Sequence, residues 1–127
     1  MDVPRSAPPR RRIALIHALR NSVDPILDSF ARLWPEAETL NLLDDSLSAA
    51  VESEGRLTTP IIERFLALGR YAAATQVGGR RTDAILFTCS AFGRAIEAVQ
   101  SESSIPVLRP NDGAFEQALD RGRRIGL

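Results

Sequence analysis

Thr88-Cys89-Ser90-Ala91-Phe92-Gly93 carries the one thiol of the chain, set between two hydroxyls. The apolar run Ala84-Ile85-Leu86-Phe87 precedes it, and a helical pattern over Ala91 to Gln100 follows. The spacing therefore puts Cys89 at the mouth of a strand-to-helix turn. A thiol there sits near unpaired backbone N–H groups and the positive end of a helix dipole, which favours the thiolate. The same N–H groups suit a carboxylate. One segment thus offers a nucleophile or proton carrier beside an anion cradle. The competing reading is a small buried hydrophobe, a common fate of free cysteine.

His17, the one histidine, closes the apolar run Ile13-Ala14-Leu15-Ile16. It reads equally as a substrate contact or as a histidine satisfied at a strand end. Asp44-Asp45 reads first as a loop pair with Asx-turn bonds. An acidic receiver-type pocket is the weaker reading, because it needs an aspartate where Cys89 stands. A phosphatase loop needs cysteine and arginine bracketing about five residues. Only Ser90, Ala91, Phe92 and Gly93 separate Cys89 from Arg94, so that loop does not close. One cysteine and one histidine do not make a zinc set, so no metal site is expected. Arg80-Arg81 and Arg121 to Arg124 read as solvated turn residues.

These side chains need elements to hold them. Residues 1–11, proline- and arginine-containing and without periodicity, read as a disordered tail. Ile13 to Ile16 is a continuous apolar run, as in a parallel strand covered on both faces. Asp24-Pro25 reads as a helix N-cap followed by proline at the first helical position. Ile26, Leu27, Phe30 and Leu33 then recur at helical spacing, and Trp34-Pro35 ends the element. Thr39 to Leu43 is the second strand, and Asp44 to Ser48 a polar loop. Thr59-Pro60 opens the longest helix, whose apolar stripe from Ile61 to Ala73 reads as core, with Gly78-Gly79 as its stop. Asp83 to Phe87 is the third strand and Ile105 to Leu108 a short fourth. A last helix is expected after Asn111, with Phe115, Ala118 and Leu119 inward.

Strand and helix alternate four times. That predicts an α/β fold of three layers, a parallel sheet of four to five strands with helices on both faces. The chosen strand order is the flavodoxin-like 2-1-3-4. Its switch point lies between the first and third strands, which brings His17 and Thr88-Cys89-Ser90 to one crevice. Arg123-Arg124-Ile125-Gly126-Leu127 echoes Arg11 to Leu15 and reads as the start of a fifth strand, as if the fold were cut short. That final edge is expected to promote homo-oligomers or self-association.

With 127 residues the chain is one domain. A formal net charge of zero gives no molecule-wide pull towards nucleic acid or membrane. A lone cysteine fits a reducing, cytoplasmic setting. No run approaches a membrane span, and Ile13 to Leu19 lacks the cleavage site of a secretory signal.

The run Ile85 to Gly93 resembles the first cysteine motif of the aspartate/glutamate/hydantoin racemase superfamily. Asn41 to Ser48 and the Leu57-Thr58-Thr59-Pro60 opening are also similar to its members. The resemblance covers residues 12–127 and implies one lobe of a two-lobe fold, with the active site between the lobes. It implies a cofactor-independent racemase or isomerase acting on a small carboxylate or amino acid. Cys89 would be the first of two proton-transferring cysteines. Thr88, Ser90 and Ala91 would hold the substrate carboxylate, His17 would be a polar substrate contact, and Asp45 and Ser46 would shape the pocket rim. The second cysteine belongs to the second half of such proteins, so this chain alone is expected not to racemise. Decarboxylases and cis–trans isomerases share the family. The alternative reading is a non-catalytic domain that binds small carboxylates or mediates an interaction.

Overall fold

Four apolar residues, Ile13 to Ile16, make the centre of β1 (Arg12–His17), every residue of which is buried. A computed structural model describes residues 10–109. β1 runs parallel to β2 (Glu38–Leu43) on one side, with Arg12 beside Glu38 and His17 beside Leu43. On its other side it is parallel to β5 (Ala84–Phe87), which in turn pairs with β6 (Val107–Leu108). The sheet order is β2-β1-β5-β6. The tail over residues 1–9, the helix expected after Asn111 and the strand start at Ile125 lie outside the described residues. Arg11 is already tied to the sheet, because the Glu38 N–H donates to its carbonyl at 2.8 Å.

Alternation along the strands sorts the core into two clusters. Ile13, Leu15, Ala84 and Leu86 pack with Ile26 and Phe30 of α1 (Val23–Leu33) and with Trp34. Ala14, Ile16, Ile85 and Phe87 face the other way. They meet Leu47 of α2 (Ser46–Glu54), Phe65 of α3 (Thr59–Ala74) and Ile96 of α4 (Gly93–Glu102). The α/β architecture with a four-stranded parallel sheet and helices on both faces is therefore as the apolar runs predict.

Several local expectations are corrected. α1 starts at Val23, so Asp24 and Pro25 sit within its first turn. Proline is tolerated there because the first four helical N–H groups have no intrahelical acceptor. Asp44 to Ser48 is not a loop throughout, since α2 begins at Ser46. Its small polar residues bury only Leu47, which leaves little periodic signal. Gly55, at φ 75°, takes the left-handed position that ends α2.

Gly78-Gly79 does not stop the long helix, which ends at Ala74. The two glycines, at φ 61° and 77°, turn a hairpin between β3 (Gln76–Val77) and β4 (Arg80–Arg81). Positive φ at both positions is what a two-residue hairpin turn requires. Asp83 falls outside β5, and Ile105-Pro106 falls outside β6.

Arg80 is no free turn residue either. It shares the Glu38 carboxylate with Arg12, at 3.0 and 2.8 Å. Arg12, only 6% exposed, also donates to the carbonyls of Val77 and Arg80. It pins the hairpin to the sheet. The Arg12 hydrogen bond holds Glu38 below its ordinary 4.5, aided by the charges of Arg80 and Arg10 and opposed by burial. The pairing therefore contributes fully above pH 4.5 and fades as pH falls through the lower folded value. Urea unfolding followed from pH 7 to pH 3 should show Glu38→Gln losing part of that pH dependence. Arg12→Ala should be worse at every pH, because it also removes the donor to the Val77 and Arg80 carbonyls.

Gly69 sets how close α3 comes to α4. A Cβ there would lie 2.6 Å from Val99 Cγ1, and Val99 is 2% exposed. Alanine gains about 1 kcal/mol in helix propensity, but overpacking costs about 1–3 kcal/mol. The clash should win, because buried valine has no rotamer freedom to yield. Gly69→Ala is expected to lower stability by roughly 1–2 kcal/mol in urea unfolding, with Val99→Ala relieving part of it in the double variant.

Candidate functional site

His17, at the carboxyl end of β1, has no exposed surface. A buried imidazole must have its polar nitrogens satisfied. Its Nε2 lies 2.9 Å from Asn41 Oδ1 on β2, and its Nδ1 lies 2.7 Å from Thr88 Oγ1 just past β5. An amide oxygen only accepts, so Nε2 carries a hydrogen, while the Thr88 hydroxyl lies between Nδ1 and the Ile16 carbonyl, 3.4 Å away. The Thr88 N–H donates to the Ile16 carbonyl at 3.1 Å, which fixes its backbone to β1. Asn41, His17 and Thr88 thus form one hydrogen-bonded line across three strands.

Register explains the line. Asn41 pairs with Leu15 and therefore shares the face of Leu15 and His17. Leu86 on β5 and Thr88 just past it follow the same alternation. The histidine is satisfied by side chains, and its substrate role could run only through Thr88. Asn41 was not foreseen, because its contact depends on strand pairing rather than on sequence proximity.

Cys89 extends the chain after Thr88 with φ −113° and ψ 126°. It is half-buried and packs against the cluster that contains Phe87 and Phe92. Neighbouring residues therefore point apart, the hydroxyl towards the α1 side and the thiol towards the side of α3 and α4. A 3₁₀ turn, Ser90–Phe92, follows, and α4 proper begins only at Gly93. The helix is later than the expected start at Ala91. Phe65 of α3 holds this turn, with ring centroids 5.1 Å from Phe92 and 5.8 Å from Phe87. Ala91 is exposed on the turn.

Arg109 was also not foreseen. It follows β6 at the same edge of the sheet, and its Nη1 lies 3.6 Å from where a Gly93 Cβ would be. Glu97 of α4 holds it at 3.3 Å. A guanidinium therefore stands over the start of α4. The signal in sequence is its place directly after the fourth apolar run.

Asp45 and Ser46 stand at the start of α2, and both are exposed. Asp44 does the local work, accepting from the Ser46 N–H at 3.1 Å in an Asx turn, and from the Ser46 hydroxyl. Burial tends to raise the Asp44 pKa, but the Ser46 hydrogen bonds and Arg64 outweigh it and leave it below 3.8. Arg64 of α3 reaches Asp44 at 3.1 Å and the Ser46 hydroxyl as well. These contacts account for the acidic pair as the start of α2. No group of three or more histidine, cysteine, aspartate or glutamate side chains among the described residues could hold a metal ion. No described helix is long and apolar enough to cross a membrane.

Comparison of the chain with protein-family models, with curated proteins and with solved structures finds no match.

The line through His17 makes an asymmetric prediction. Asn41→Leu leaves a buried N–H without its acceptor and should cost about 1–3 kcal/mol in urea unfolding. Replacing all three groups (Asn41→Leu, His17→Leu, Thr88→Val) should recover much of that loss, because no polar atom is then left unpaired.

Proposed function

We propose that this chain is a lobe of a cofactor-independent racemase or isomerase of the aspartate/glutamate/hydantoin racemase type. Its substrate would be a small carboxylate or amino acid. The observation that carries the reading is the set of groups at the carboxyl edge of β5 and β6: the Cys89 thiol, the Thr88 hydroxyl, the turn after them and the Arg109 guanidinium. Counting only strands of the main sheet, the order β2-β1-β5-β6 supports a flavodoxin-like reading. In such sheets ligands lie at the switch point, here between β1 and β5.

In this proposal Arg109 and the N–H groups of the turn take the substrate carboxylate. Thr88, its hydroxyl aimed by His17, contacts the second polar group. The Cys89 thiolate removes the α-proton, forming a neutral thiol and a carbanion conjugated with the carboxylate. Inversion then needs an acid on the opposite face. In the family that group belongs to the second lobe, and the chain carries one cysteine. Alone, Cys89 would return a solvent-exchanged proton to the face it came from.

A second reading, a carboxylate-binding domain without catalysis, is favoured by one feature. Both nitrogens of His17, the one histidine, are engaged by Asn41 and Thr88, so neither is directed to the thiol.

Incubation in deuterium oxide with a panel of aspartate, glutamate and hydantoins separates the readings. Deuterium should enter the α-position with retained configuration, and Cys89→Ser should slow this by at least about a hundredfold. Arg109→Met should weaken binding by about tenfold, read from amide shifts over residues 88–93. Shifts without exchange would leave the binding domain. No shifts and no exchange would remove both.

A further inference from the structure

β2 has a strand neighbour on one side only among the described residues. Its pairing with β1 is regular from Glu38 to Leu43, with no bulge. The Glu38 and Asp44 N–H groups donate to the Arg11 and His17 carbonyls, so Thr39, Asn41 and Leu43 turn theirs outward. Edge strands are normally blunted by proline, bulges or charge. After Glu38 the strand reads Thr-Leu-Asn-Leu-Leu, with none of these.

The surface beside this edge is apolar. Among the described residues the exposed large hydrophobics are Leu19, Leu43, Tyr71 and Val77. Leu43 is on β2, and the other two of the last three line hollows next to it. One hollow, of about 220 Å³, lies between Leu40, Leu42, Tyr71 and Val77. The next, of about 420 Å³, lies between Leu42, Leu68, Tyr71 and Arg64. α3 overhangs the strand with Arg64, Ala67, Leu68 and Tyr71, successive positions on one helix face. Cys89, His17 and Thr88 line neither hollow.

Charge along the edge is polar end to end. At the start of β2, Arg10, Arg11, Arg12, Arg80 and Arg81 outnumber Glu36, Glu38 and Asp83. At its end stand Asp44, which pairs with Arg64, and the exposed Asp45. An antiparallel second copy brings the acidic end of one chain to the basic end of the other. A parallel one would set like ends together.

We propose that the β2 edge binds the β2 edge of a second copy, antiparallel about a twofold axis at Asn41. Thr39 of one copy then faces Leu43 of the other, and Asn41 faces Asn41. These are the outward-facing residues, so each pair exchanges both main-chain hydrogen bonds. The sheet continues across the axis. The apolar overhang of α3, with Tyr71, closes against its symmetry mate, as an isologous contact requires.

Sedimentation of the full chain up to about 100 µM is the test, since a weak dimer falls in that range. The wild type should dimerise, and more weakly at high salt. Thr39→Pro removes one outward N–H that β1 does not use. Tyr71→Glu places a charge in the overhang at a 66% exposed site. Each should weaken the dimer by at least about tenfold while circular dichroism stays unchanged. Amide exchange at Thr39, Asn41 and Leu43 should slow as concentration rises. A monomer at every concentration overturns the proposal. So does a dimer that both variants leave intact, or a monomer with those amides already protected, in which another segment of the same chain covers the edge.

Discussion

A strand with neighbours on both sides and helices over both faces has no route to water for its side chains. β1 is such a strand, yet both of its ends are polar, Arg12 at the start and His17 at the finish. Burying either without partners would cost several kcal/mol. The fold answers with partners drawn from far along the chain. Arg12 takes Glu38 and two carbonyls of the β3–β4 hairpin. His17 takes Asn41 and Thr88. Each polar end thus fixes the strand register on both sides, since a one-residue slip would turn Asn41 and Thr88 to the wrong face.

That constraint has a consequence at the carboxyl edge. Thr88 is held twice, by its N–H to Ile16 and by its hydroxyl to His17. The residue after it is therefore placed by a rigid element rather than by a mobile loop. Phe65 packs against Phe87 and Phe92 from α3 and limits the turn from the other side. Cys89 inherits its position from both. Preorganisation of this kind comes from burial in the core, where Asn41 and Thr88 engage both nitrogens of His17.

The sequence showed the sheet more clearly than it showed the site. Ile13 to Ile16 and Ala84 to Phe87 are continuous apolar runs, and a strand covered on both faces leaves that mark without ambiguity. The stripe of α3 was equally plain. α2 was not, because Ser46 to Glu54 buries only Leu47 and its remaining residues carry no apolar period. The hairpin hid behind Gly78-Gly79, a pair that serves a helix stop as well as a two-residue turn. Arg80 looked solvated for a similar reason, since its partner Glu38 is distant in sequence. Cys89 was visible as a residue type at a strand end. Asn41 and Arg109 were not, because what joins them to the site is sheet order, which residue type does not encode.

Alternation carries one further step at the end of β5. Thr88 belongs with Leu86 on the α1 side, and Cys89 packs with the cluster of Phe87 on the other. Within a strand, two such neighbours could never touch the same ligand. At the carboxyl end the sheet stops, and a group lying across the strand terminus reaches both faces. Arg109, one strand over, approaches the same terminus from above α4. Under the proposed function, a ligand that used all three would straddle the edge of the sheet, with its anionic group towards β6 and a second polar group towards β1. A small, branched, polar molecule would suit such a pose, because an extended chain along one face would meet either the hydroxyl or the thiol.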